Sequence, residues 1–163
     1  MRYFVFFATI IISIVLQSSI SFFNLGIQPD FLLILVLFSA LLEGPFTGLK
    51  VGFVIGLVED LVTGKFIGIH ILTKMLAGYL IGLGEPKIFK ENYLVPVVTL
   101  FIGTFLHGFL FLFFGSIVGI DISWGKDIWV RILYLALFHG VLAPFVYVPF
   151  YKIYVSKWFN KDS

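Results

Sequence analysis

The segment 43–68 carries a glycine or an acid at every fourth position, and this spacing restricts the fold more than any other feature. The series runs Gly44, Gly48, Gly52, Gly56, Asp60, Gly64 and Gly68. Four-residue spacing keeps these positions on one slowly winding face of a helix. In water each glycine would weaken that helix by about 1 kcal/mol relative to alanine, whereas a bilayer enforces the helix because lipid offers no partner for a free N–H or C=O. The segment therefore predicts a close-packed central membrane helix with a carboxylate near one end.

The composition is that of an integral membrane protein. Of 163 residues, 60% are hydrophobic and 12% are charged, about half the charged fraction of a soluble domain. Because a span needs about 20 apolar residues, six spans would use most of the chain and leave no room for a soluble domain. We therefore predict an all-α integral membrane protein, a single glycine-rich bundle of six transmembrane helices over residues 1–163. The chain has no cysteine, which excludes disulfides, thiol catalysis and cysteine metal sites.

The predicted spans follow the apolar runs between turn residues. They cover residues 1–23, 31–42, 46–62, 68–84, 93–118 and 128–151. The first run also resembles a signal peptide, but we interpret it as an uncleaved span. Pro29 is expected to set the start of the second span, with Asp30 in its first turn, and that span is expected to reach Glu43. In the sixth span, Pro144 and Pro149 are expected to interrupt the helix.

The basic residues predict how these spans are oriented. One side of the membrane would collect Arg2, Lys87, Lys90, Lys152, Lys157 and Lys161. The other side would carry Lys65, Lys126 and Arg131. The positive-inside rule then places both termini in the cytoplasm, which agrees with an even number of spans.

Ionisable side chains gather at the predicted outer ends of the second, third and fourth spans. They are Asp30, Glu59, Asp60, Lys65 and His70. Lys74 lies about two turns into the fourth span, where Asp60 of the preceding antiparallel helix could meet it. Intramembrane ionisable residues are functional candidates by default, so a proton or ion relay is one interpretation. We favour a structural pair between Asp60 and Lys74, because the inner halves of these helices offer little polar continuation beyond Thr73 and Tyr79.

Two further pairs lie within apolar runs. Gly78 and Gly82 lie in the fourth span and are expected to serve helix packing. His107 and His139 lie mid-span in the last two helices, at similar depth if these form an antiparallel hairpin. A two-histidine metal site is one interpretation of them, but the carboxylates lie at the wrong end to complete it. Interhelix hydrogen bonding is therefore favoured, and no metal or cofactor is expected.

Sequence signatures of soluble enzymes are missing. The chain contains no GxGxxG after a strand, no P-loop, no HExxH and no GxSxG. Adjacent Glu59 and Asp60 point about 100° apart on a helix, so they do not converge on one substrate as a general acid and base. No extended basic patch suits nucleic acid. These observations predict a protein without catalytic activity whose surroundings are the lipid bilayer.

Several motifs together resemble the family of the rod shape-determining protein MreD. They are Pro29-Asp30 opening an apolar span, the glycine ladder 44–56, the run GLVEDLVTGKFIGIH with Asp60, Gly64 and Gly68, and Gly78-Tyr79. The resemblance covers most of the chain in length, span count and order. It implies a non-enzymatic inner-membrane scaffold of the bacterial cell-elongation machinery that binds the bitopic protein MreC. Through MreC it would join the actin-like MreB, the glycosyltransferase RodA and a class B penicillin-binding protein, and so help organise peptidoglycan synthesis.

The same resemblance implies an alternative function. The family is distantly similar in fold to the substrate-binding S subunits of energy-coupling-factor transporters, so a transport subunit for a vitamin-like solute is the alternative. Such a subunit needs an enclosed pocket near its outer face, whereas a scaffold needs an exposed groove or helix face for a partner's span. We expect the scaffold, with Asp30, Asp60 and the neighbouring outer-end residues contributing to the docking surface.

Overall fold

The computed structural model describes residues 10–15, 17, 29–64, 67–84, 94–121 and 124–155, with side chains described up to residue 151. Within these ranges all regular structure is helical. The helices are α1 (residues 10–15), α2 (Phe31–Glu43), α3 (Pro45–Thr63), α4 (Ile69–Gly82), α5 (Leu94–Val118) and α6 (Lys126–Val155). Predicted features of the first nine residues, Lys65, the basic connection 85–92 and the tail after residue 155 lie outside the described residues.

The helix bounds lie close to the predicted spans, and the all-helical fold class is confirmed. Two of the described helices are long and apolar enough to cross a membrane, Leu94–Val118 and Lys126–Tyr151. By contrast, α2 and α4 have 13 and 14 residues, fewer than the roughly 20 of a full span. The six-span arrangement therefore stays a prediction.

The predicted interruption of the last helix is wrong. Pro144 and Pro149 both lie inside α6, which continues to Val155. A proline removes one backbone donor and bends a helix, but packing by neighbouring helices can hold the two halves in line. Tyr147, between the two prolines, supplies that packing, because its ring lies 5.2 Å from the ring of Phe38 in α2.

The central helix is α2, and the prediction that α3 takes this place is wrong. All eleven residues 32–42 are buried among the other helices. On α3 the glycine face is covered, but the opposite face leaves Phe46 71% and Phe53 45% exposed. In lipid a helix that is apolar on every side can face either protein or lipid, so the apolar run of α2 does not by itself select the central place.

The glycine faces of α3 and α4 bring the two backbones into direct contact. A Cβ atom added at Gly52 would lie 2.5 Å from the carbonyl oxygen of Lys74, and one added at Gly48 would lie 2.5 Å from that of Gly78. Gly56 meets the backbone of Ile71 in the same way. Because no side chain separates the helices here, the polar residues of α4 lie directly against those of α3.

The last two glycines of the series, Gly64 and Gly68, differ from the others. Gly82 of α4 packs on Pro45 and Gly44. By contrast, no atom of the described residues would contact a Cβ at Gly64 or Gly68. Among the described residues these two glycines therefore make no packing contact of the predicted kind. Both have left-handed φ angles, 64° and 108°, which glycine adopts without steric cost. They end α3 and begin α4.

The central helix α2 does not reach along the whole length of α5 and α6. Leu37 of α2 packs against Gly103 of α5, and the backbone N–H of Asp30 donates to His139 of α6. The start of α2 is thus level with the middle of α6 rather than with its end. The halves of α5 and α6 nearest their connection extend beyond α2, and large apolar side chains there, such as Phe113, are exposed.

Candidate functional site

A fully shielded ammonium group is the centre of a polar cluster between the helices. Lys74 of α4 has no exposed side-chain surface, and its Nζ lies 2.5 Å from Oδ2 of Asp30 and 2.8 Å from Oε2 of Glu59. Nζ donates a hydrogen bond to Asp30. The Glu59 Oε2 atom is buried and accepts no aligned hydrogen bond from the described residues.

The predicted pair of Asp60 with Lys74 is therefore wrong. A structural ion pair between helices does exist, but Lys74 makes it with Asp30, and the second acid beside its ammonium group is Glu59. The physical reason is the depth of Lys74 on α4. It lies one turn below His70, and so meets Glu59 while His70 takes the place beside Asp60.

Asp60 instead closes the turn between α3 and α4. Its carboxylate accepts the backbone N–H groups of Gly68 at 2.7 Å, His70 at 3.1 Å and Ile71 at 3.3 Å. Nδ1 of His70 lies 2.8 Å from the same carboxylate. Gly68, at the N-cap of α4, has no side chain to satisfy these donors, so a carboxylate from the preceding helix does so. Asp60 is fully buried in this arrangement.

Asp30 connects three helices. It is the N-cap of α2, where Oδ1 accepts the N–H of Leu33 at 2.7 Å. Its other oxygen binds Lys74 of α4, and its own N–H donates to Nε2 of His139 at 3.1 Å. Because Nε2 of His139 is an acceptor, the ring proton is on Nδ1, which donates to Oγ1 of Thr104 at 2.8 Å. His139 is thus a neutral ring with both nitrogens engaged.

His107 makes its contact with α4. Its Nε2 lies 3.3 Å from Oγ1 of Thr73. The Thr73 hydroxyl donates to the carbonyl of Ile69 at 2.8 Å, so the histidine is the donor in this pair. The two histidines therefore join different helices, and their partners, Thr73 and Thr104, were not identified from the sequence. The sequence feature that could have pointed to Thr104 is its position about one helical turn before His107, on the same face of α5.

The contacts form a chain that runs across the bundle and stops halfway along it. From Asp60 it passes through His70, Glu59, Lys74 and Asp30, and ends at His139 and Thr104. The residues of α2 beyond Asp30 are apolar except for Ser39 and Glu43, the last residue of the helix. Within the described ranges no three His, Asp or Glu side chains are arranged to hold a metal ion. These contacts form a polar cluster that reaches about halfway along the helices. The described residues show no continuation of it to the far end.

One edge of the cluster is partly open. The side chains of Asp30, Glu59 and His70 are 13%, 11% and 19% exposed, while Lys74 is completely covered. Phe111 of α5 borders this edge, with its ring 5.4 Å from that of His70. We call Asp30, Glu59, His70 and Phe111 the open edge. The chemistry available there is that of carboxylates and an imidazole in apolar surroundings.

The fold and the cluster define an all-helical membrane protein whose ionisable groups pair with one another inside the bundle. The chain belongs to the family of the rod shape-determining protein MreD, whose sequence model matches residues 1–157. The resemblance in the sequence motifs is thereby confirmed, and the chain is a rod shape-determining membrane protein. The family is a structural one and not a known enzyme family. Searches of the curated proteins and of the solved structures found no match.

Proposed function

We propose that this protein is a non-enzymatic inner-membrane subunit of the cell-elongation machinery that binds MreC and helps organise peptidoglycan synthesis. Through MreC it is linked to MreB, RodA and a class B penicillin-binding protein. Membership of the MreD family is the observation that carries this proposal. We also propose that the helices form six spans with both termini in the cytoplasm, as the distribution of basic residues predicts.

The open edge is the surface that we propose for docking the transmembrane helix of MreC. Asp30, Glu59 and His70 expose part of their side chains there, and Phe111 adds an apolar border. A polar or basic group of the partner helix would find hydrogen-bond acceptors there in apolar surroundings.

Asp60 has an indirect part in this proposal. It is fully buried and its oxygens already accept four donors, so it has no surface to offer a partner. What it does is hold the first turn of α4 in place. Because His70 belongs to that turn, the cap on α4 fixes the position of one member of the open edge.

Site-directed photocrosslinking tests the docking surface. Phe111 is replaced by p-benzoylphenylalanine, an aromatic substitution that preserves most of the ring's packing, in cells that express MreC. We expect a crosslink to MreC from position 111. The matched control is the same replacement at Phe46, which is 71% exposed on the opposite side of α3 from its glycine face.

The outcomes distinguish the proposed functions. A crosslink to MreC from position 111 and none from position 46 supports docking at the open edge. Crosslinking from position 46 alone would place the partner on another face and refute the docking surface. A vitamin-like molecule that copurifies with the subunit from membranes, together with no MreC, would support the transport alternative.

A further inference from the structure

The polar cluster contains more carboxylates than cations. It contains the three carboxylates of Asp30, Glu59 and Asp60 but only one ammonium group, that of Lys74, which contacts Asp30 and Glu59. Burial of an uncompensated carboxylate among apolar helices costs so much that such a group takes up a proton instead. We propose that Glu59 is a proton-binding site and is a neutral carboxylic acid in the folded protein at neutral pH.

Asp60 is not the residue that needs the proton. Three backbone N–H groups at the start of α4 and the imidazole of His70 all point at its carboxylate. The N-terminus of a helix stabilises a negative charge through these donors and through its dipole. The ionised form of Asp60 is therefore compensated without Lys74.

Asp30 and Glu59 are left to share one lysine, and the geometry favours Asp30. Its carboxylate accepts hydrogen bonds from Nζ of Lys74 at 2.5 Å and from the N–H of Leu33 at 2.7 Å. Glu59 is only 9% exposed, and its Oε2 accepts no aligned hydrogen bond from any described residue. Its Oε1 lies 4.0 Å from Nε2 of His70. Of the two acids, Glu59 loses less by becoming neutral.

His70 offers an acceptor for the added proton. When Nδ1–H of His70 donates to Asp60, Nε2 carries a free lone pair that faces Glu59. A modest rotation of the Glu59 side chain would let the new O–H donate to that nitrogen. The step is the addition of one proton from the solvent to a carboxylate oxygen of Glu59. The ring of His70 beside that carboxylate is partly exposed.

The other ionisable groups that face the cluster have separate partners. His139 of α6 accepts the N–H of Asp30 on Nε2 and donates to Thr104 through Nδ1. His107 of α5 donates to the hydroxyl of Thr73. Neither ring makes a described contact with Glu59, so a proton on Glu59 itself would balance the site.

Paired acid-to-amide substitutions test the assignment, because Asp30 and Glu59 touch the same ammonium group. An amide resembles a neutral carboxylic acid in shape but cannot ionise. We expect Glu59→Gln to leave the midpoint of thermal unfolding in detergent close to that of the wild type, and Asp30→Asn to lower it. We also expect the wild type, but not Glu59→Gln, to lose stability as the pH rises above the pKa of a free glutamate, about 4.3, because the unfolded chain then releases a proton that the folded protein keeps.

Infrared spectroscopy of the wild type and Glu59→Gln in lipid decides the question even if Asp30→Asn fails to fold. A carboxylic-acid C=O band that is present at neutral pH in the wild type and absent in Glu59→Gln supports the proposal. If Glu59→Gln removes no carboxylic-acid band from the wild-type spectrum, the proposal is overturned, since the proton would then be on His70 or absent. The result does not depend on MreC and leaves the proposed function untouched.

Discussion

Lys74 of α4 and Asp30 at the N-cap of α2 are 44 residues apart in sequence, yet the ammonium and carboxylate groups meet at 2.5 Å. The lysine side chain is completely covered. This single contact fixes the start of the central helix against α4. It also sets the depth of the polar cluster, because the same aspartate bonds to His139 in the middle of α6.

Loss of the ammonium group is expected to destabilise the fold strongly. Lys74→Met keeps much of the side-chain volume but leaves Asp30 as a buried carboxylate without its cation. Breaking a buried pair in this way costs about 3–5 kcal/mol. Denaturant unfolding in detergent micelles measures the loss.

A double variant provides the control for that prediction. Lys74→Met combined with Asp30→Asn removes both charges, so it should lose less stability than Lys74→Met alone. If the double variant is no more stable than the single one, charge pairing is not what this contact contributes.

The contact between α3 and α4 is expected to reject any larger residue at its centre. In Gly52→Leu the new Cβ would meet the carbonyl of Lys74 at 2.5 Å, and the helices would have to separate. Overpacking of this kind costs roughly 1–3 kcal/mol or more. The thermal midpoint in detergent should fall accordingly, whereas Phe53→Leu, one position along on an exposed face, should change it little. Equal midpoints for the two variants would argue against close packing here.

The cap that Asp60 places on α4 is expected to be local in its effect. Asp60→Ala removes the acceptor for the N–H groups of Gly68, His70 and Ile71. Loss of a cap costs about 0.5–2 kcal/mol. Hydrogen–deuterium exchange should therefore speed up at the first turn of α4 more than in α5. Uniform exchange throughout the helices would indicate global unfolding, and unchanged exchange would show that the cap does not hold the turn.

The predicted orientation can be checked by cysteine labelling, since the chain contains no native cysteine. A cysteine at position 122, in the α5–α6 connection, should react with an impermeant maleimide in intact spheroplasts. A cysteine at position 89, in the basic connection, should react only after the membrane is opened. The reverse pattern would contradict cytoplasmic termini.

Local sequence determined the helices of this protein and much of how α3 meets α4. Apolar runs bounded by glycine and proline placed α2 to α5 near their observed ends, because backbone groups in an apolar medium must satisfy one another within a helix. The four-residue glycine spacing identified the face of α3 that lies on α4, since that spacing is a property of helix geometry alone.

Tertiary structure decided which charges meet and which helix is central. From the sequence, Asp60 was the acid expected to pair with Lys74. In the structure His70 contacts Asp60, and Lys74, one turn further along α4, contacts Glu59. Asp30 joined them only because α2 is enclosed by the other helices and begins at the level of His139. An ion pair between distant segments depends on distances of a few ångströms, which local periodicity does not encode and the packing of the whole bundle sets.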